Sequence, residues 1–130
     1  MSEHIESRRI GDWSHVPAER LTDPATGGSK GMRVTRQDLI PPEALLEIGA
    51  VYGFGERKYP SGPDGPNWMR GMPFSWNLRA MKDHISQWEL GVDFDEEDGV
   101  SHLAHAAWHL LALLTYQARG IGTDDRPFKR

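Results

Sequence analysis

The chain contains no cysteine, which removes disulfide scaffolds, thiol nucleophiles and cysteine-ligated zinc and fits a reducing compartment. It also has no apolar run that approaches bilayer-spanning length, and its opening MSEHIESRRIGDW lacks the hydrophobic stretch of a secretory leader. A cytoplasmic protein with no membrane partner is therefore expected. Excess positive charge is missing as well. With 15 Lys and Arg against 19 Asp and Glu, the formal charge is −4, and the isoelectric point is near 5.8. That balance argues against a duplex nucleic acid partner, because neutralising phosphates along a duplex needs a basic surface. A nucleotide remains compatible, since metal ions can supply the missing positive charge.

What is present fits one modest core. A length of 130 residues at 38% hydrophobic content allows a single compact domain. Residues 1–26 read as a polar N-terminal arm, followed by Gly27-Gly28-Ser29-Lys30-Gly31, which lacks the full spacing of a P-loop and reads as a flexible connector. Residues 27–130 form the expected domain. A first helix is expected to start at Pro41-Pro42, with Leu45, Ile48, Val51 and Tyr52 at packing intervals and Gly53 and Gly55 positioned to loosen or end it. The proline- and glycine-rich PSGPDGPNWMRGMP is a long central loop, a natural place for function. A second helix is expected from about Ser75 to Leu90, with Leu78, Met81, Ile85 and Trp88 as its core stripe. No strand of useful length is visible, so the fold class expected is all-α, a helical bundle with irregular arms.

The third helix carries the chemistry. In HLAHAAWHLLALL, His102, His105 and His109 recur at spacings of three and four and fall on one helical stripe, with Asp98 on the same side. Leu103, Ala106, Ala107, Leu110, Leu113 and Leu114 form a separate apolar face. Neutral imidazole is the commonest nitrogen ligand for a divalent ion, and such spacing lets neighbouring rings hold one ion or two. Glu43 and Glu47 lie one turn apart on the first helix, where they can direct hard oxygen ligands towards those nitrogens. A first-turn acid favouring the helix dipole is the plainer reading of Glu43, and a solvated side chain that of Glu47. The acidic GVDFDEEDG has its glycine one place late and Ala104 at the twelfth position, so it is not an EF-hand. Glu97 and Asp98 are expected to start the third helix, with Asp98 also a ligand or an orienting partner for an imidazole.

Cations cluster near the central loop. Arg57, Lys58, Arg70, Arg79 and Lys82 can meet a polyphosphate. Trp68, on the loop, is a better stacking candidate than Trp88, and Asn67 beside it offers both donor and acceptor to a base edge. His84 reads as a phosphate donor or as an internally satisfied helix residue.

The run GGSKGMRVTRQDLIPPEALLEIGAVYGFGERKY, then NWMRG, then DEEDGVSHLAHAAWHLLALL and DDRP, resembles the phage-type dATP/dGTP diphosphohydrolases. Those are grouped with the MazG-like all-α nucleotide pyrophosphohydrolases. The likeness spans about residues 27–127, and GVSHLAHAAWH is its most specific part. It implies a MazG-like helical bundle, assembled as a homodimer or homotetramer, that cleaves a purine nucleoside triphosphate to the monophosphate and pyrophosphate with Mg²⁺ or Mn²⁺. In the superfamily pattern Glu-Glu-x-x-Glu, Glu43 and Glu47 match the outer acids while Ala44 replaces the middle one. His102 and His105 fall over the later Glu-x-x-Asp pattern, and exchanging carboxylates for imidazoles shifts preference towards Mn²⁺.

The expected metal ligands are Glu43, Glu47, Asp98, His102 and His105. The catalytic set expected is Glu43, Glu47, His102 and Asp98. Lys58, Asn67, Trp68, Arg70, Lys82 and His84 are expected to bind substrate. The alternative is a non-catalytic helical binding protein in which the histidines hold a structural metal or line an interface.

Overall fold

The structure, a computed structural model, describes residues 8–128, which divide after Pro41 into two compact units. The opening of the expected polar arm, residues 1–7, lies outside the described residues.

The first unit holds an antiparallel hairpin of β1 (Glu19–Thr22) and β2 (Ser29–Met32), registered with Glu19 opposite Met32 and Thr22 opposite Ser29. Asp23 closes the turn. Its N–H donates to Gly28 O at 2.7 Å and its carbonyl accepts from Gly27 N–H at 2.8 Å. Its carboxylate takes the Ala25 N–H and the Thr26 hydroxyl. Gly27, at φ +77°, supplies the left-handed step that a side chain disfavours. The hairpin overturns the all-α expectation: the chain is 48% helical and carries a two-stranded sheet beside three helices. Every strand residue is exposed, so the apolar alternation that marks a half-buried strand is absent, and hydrophobic periodicity could not find it.

The second unit contains α1 (Pro42–Lys58), a 3-10 turn (Asn67–Arg70), α2 (Phe74–Glu89) and α3 (His102–Arg119). α1 runs through Gly53 and Gly55 to Lys58 and does not end at them. α3 is the central helix and packs against both α2 and α1. Its packed ridge repeats every four residues through Ala104, Trp108, Ala112 and Tyr116; Ala112 and Tyr116 have no exposure at all. Alanines on that ridge let neighbouring backbones approach closely, and Val51, Val100 and Ala104 form a small core with Ile48, Ala50 and Trp108. The expected leucine face is not the buried one. Leu103, Leu110 and Leu114 are each about half exposed, as is Trp88 on α2. The burial stripe of α3 is centred on its small residues, and Ala106 is the one member of the expected apolar face that is buried.

The helix ends follow local chemistry. Ser101 caps α3, its hydroxyl accepting the Leu103 N–H at 3.1 Å, and Gly120 ends it in the left-handed conformation at φ +66°. Glu97 and Asp98 therefore precede the helix and do not start it. Asp125, fifty residues downstream, caps α2 by accepting both the N–H and the hydroxyl of Ser75, at 2.9 and 2.5 Å. Among the described residues no helix is long and apolar enough to cross a membrane.

Candidate functional site

The acidic stretch before α3 folds into a tight loop that aims its carboxylates. Phe94 bridges Ser101, Asp95 N–H donates to Val100 O at 2.9 Å, Gly99 N–H to Asp95 O at 2.8 Å, and His102 N–H to Asp93 O at 2.9 Å. Asp95 Oδ1 accepts the Glu97 N–H and Asp98 Oδ1 accepts the Val100 N–H, at 2.8 and 2.9 Å. Backbone donors thus fix both carboxylates while leaving each further lone pairs.

Against this loop stand imidazoles from two helices. His84 of α2 and His102 of α3 bring their Nδ1 atoms to 2.9 Å. His105 Nε2 lies 2.9 Å from Asp98 Oδ2, and its ring stacks on that of His84 with centroids 4.5 Å apart. Two overlapping groups result, His84 with Asp95 and His102, and Asp95 with Asp98 and His105, each with one ligand atom per residue lying within 4.8 Å of the others. Burial, followed by the neighbouring His105 and His102 charges, pushes His84 below its ordinary value. For Asp98, burial pushes upward, but the Val100 N–H and His105 outweigh it and hold the carboxyl below its usual range. The first group suits a mixed nitrogen and oxygen donor set, and the second is richer in oxygen.

The second group opens onto a cavity of about 1290 Å³ through Asp98 and His105. One part of the wall is aromatic: Tyr52, Trp68 and Trp108 meet pairwise with centroids about 6 Å apart. Arg57, Lys58 and Asn67 also line it, as does His109. His109 Nδ1 lies 2.8 Å from Asn77 Oδ1; burial first, then His84 and His105, push this imidazole down to about 4. The Tyr116 hydroxyl donates to the Trp68 carbonyl at 2.5 Å and ties α3 to the loop. That loop is fixed from the other side too, since Gly71 and Gly122 touch so closely that a Cβ on Gly71 would stand 2.6 Å from Gly122 N.

The structure gathers Asp98, His102, His105 and His84 into the two groups. Glu47 Oε1 accepts the Ser101 N–H at 3.3 Å, at the head of α3. Glu43 is exposed in the first turn of α1 and belongs to neither group. Lys58 lines the cavity while paired with Glu97 at 3.2 Å, and Asn67 and Trp68 line it as well. Arg70 and Lys82 are exposed and do not line it. Sequence reasoning passed over Asp95 as a ligand and Trp108 as cavity wall, while Arg57, one of the cations expected to meet a polyphosphate, does line the cavity. Alternating acids in DFDEED, placed just before the histidine helix, were the available signal for Asp95.

The family model described as dATP/dGTP diphosphohydrolase, N-terminal, matches residues 24–126, and the chain belongs to that family. A similar protein of Salmonella phage PMBT28, named dATP/dGTP diphosphohydrolase, is 34% identical over 88 residues. The match covers 68% of this chain and 29% of that relative, so the chain spans less than a third of the relative's length. No solved structure matches the chain.

Proposed function

We propose that this chain binds dATP or dGTP with Mg²⁺ or Mn²⁺ and hydrolyses it to the monophosphate and pyrophosphate, water attacking the α-phosphorus. The observation that carries this reading is the pair of acid and imidazole groups sharing Asp95, with Asp98 and His105 on the cavity wall. The donor chemistry fits divalent cations: His84 and His102 offer nitrogen, and Asp95 and Asp98 offer oxygen already oriented by backbone N–H groups. Imidazole nitrogen favours Mn²⁺ over Mg²⁺ in such a set. When bound, the ions would supply charge neutralisation and lower the pKa of water.

The remaining roles belong to the chain's own side chains. Lys58 and Arg57 line the cavity and are assigned to the phosphates, and Asn67 with Trp68 to the base. Glu47, held at the head of α3 by the Ser101 N–H, is assigned as the carboxylate that takes a proton from water. The exposed Leu45, Leu46, Leu110 and Leu114 support assembly as a homodimer or homotetramer.

The test is product analysis after incubating the full chain with dATP or dGTP and Mn²⁺. Monophosphate with pyrophosphate is expected. Diphosphate with orthophosphate, or nucleoside with triphosphate, moves the cleaved bond, and no turnover with any substrate or metal favours a binding module.

A further inference from the structure

Two part-buried hydrogen bonds in the second unit, Tyr116 to the Trp68 carbonyl and His109 to Asn77, lead to the cavity. The Trp68 carbonyl can only accept, so the Tyr116 hydroxyl must donate to it. With its proton committed, the Tyr116 oxygen is left as an acceptor facing the Asn77 side chain. The Asn77 amide draws the Tyr116 hydroxyl down against the upward push of burial. Asn77 Nδ2 is buried and makes no hydrogen bond, and the Tyr116 oxygen is the acceptor nearest in role to take it. That orientation turns Asn77 Oδ1 towards His109 Nδ1, at 2.8 Å. An amide oxygen cannot donate, so His109 Nδ1 carries the hydrogen and Nε2 carries the lone pair. Asn77 is 2% exposed and Tyr116 fully buried, which leaves no solvent route to reverse the polarity.

His109 lines the cavity, and its ring meets Trp108 edge-on at 4.9 Å and 90°. Among the described residues none hydrogen-bonds its Nε2. We propose that His109 Nε2 is a specificity-determining acceptor that selects a nucleobase bearing an N–H donor, with Asn77 and Tyr116 as positioning residues that fix its tautomer. A phosphate oxygen cannot satisfy a lone pair, because both are acceptors. The aromatic wall of Trp68 and Trp108 places a base within its reach. Adenine offers an exocyclic amine and guanine a ring N–H with an exocyclic amine. Unsubstituted purine offers neither on its six-membered ring.

This inference rests on the nucleotide reading above, and the experiment separates the two. Long-range proton–nitrogen correlation on the full chain, with His109 assigned by difference from His109→Gln, reads the tautomer directly. Protonated Nδ1 with bare Nε2 is expected, shifting to a mixture in Tyr116→Phe; protonated Nε2 in the wild type overturns the proposal. Calorimetric affinities for dATP and for purine 2′-deoxyribonucleoside triphosphate should differ by about tenfold in the wild type. That ratio should fall towards one in His109→Phe, which keeps an aromatic ring without the lone pair. An unchanged ratio overturns the proposal, as does lost discrimination at the sugar hydroxyl alone. Failure of both dATP and dGTP to bind the wild type instead defeats the nucleotide reading, and this proposal with it.

Discussion

His84 and His102 present the same atom to each other, Nδ1 to Nδ1 at 2.9 Å. Two such nitrogens attract only when one is protonated and the other bare, so the contact forces different proton arrangements on two rings of one cluster. A neighbouring pair does something similar, with Asp98 held against His105 at 2.9 Å. The cluster is thus internally hydrogen-bonded, and a cation must replace those contacts with ligand bonds.

Metal binding should depend most on the residue shared by both groups. Asp95→Asn keeps an oxygen to accept the Glu97 N–H, so the loop is retained while a full negative charge is lost. We expect Mn²⁺ to raise the melting temperature of the wild type, chelation to reverse the rise, and Asp95→Asn to abolish it. Glu43→Gln, outside both groups, should keep the full shift; an equal loss there would return α1 to the ligand set.

Glycines in this chain should respond to alanine with opposite signs. Gly49 lies within α1 with nothing inside 4 Å of an added Cβ, so Gly49→Ala should stabilise by about 1 kcal/mol through helix propensity and a restricted unfolded chain. Gly122 sits at φ +79°, and its Cβ would approach Met72 O to 2.8 Å. Gly122→Ala should destabilise by about 2 kcal/mol or more through combined strain and contact. Urea midpoints with unchanged slopes would measure both. Equal destabilisation would mean the close approach of Gly71 and Gly122 is not what holds the central loop.

Asp125 should report on the cap it provides to α2. The Ser75 hydroxyl and N–H lower its carboxyl from the usual range, so its contribution is present above the unfolded value of about 3.8 and is lost as pH falls through the lower folded one. Asp125→Ala should therefore lower the melting temperature at neutral pH, and the gap from wild type should close in acid. A gap that persists at pH 2 would show that packing, not charge, is what Asp125 provides.

The three helices were legible because their sequences carry a 3.6-residue period, and α2 was placed within one residue at each end. The hairpin was not, because ERLT and SKGM bury nothing and only the turn at Asp23 and Gly27 marks them. Histidine spacing correctly put His102 and His105 on one stripe, yet it could not show that His84, on another helix, would stack on His105. Nor could it show which acid would join them. Asp95 enters through a loop whose shape is set by backbone bonds between Asp93, Asp95, Val100 and His102, a long-range consequence of closing the loop that no periodicity encodes.

The half-buried histidines predict a stability loss in mild acid, well before the carboxylates titrate. His109 is pushed down to about 4 from 6.5, mainly by burial, and His84 is lowered for the same first reason. Above pH 6.5 both rings are neutral folded and unfolded, and they add no pH dependence. Between 6.5 and 4 the unfolded chain takes up protons that the folded one refuses, so stability must fall as pH falls. The slope is at most roughly 1.4 kcal/mol per pH unit for each histidine, reduced by solvent at this partly open site. Asp98, held below its usual range, loses its contribution only at lower pH, so the two effects separate on the pH axis. Urea titrations from pH 7.5 to 4 should show this decline, and His109→Asn, which cannot take up the proton, should flatten it. A wild-type profile level across that window would mean that the folded chain takes up the proton on His109 as readily as the unfolded one, so that burial does not hold the ring neutral in mild acid.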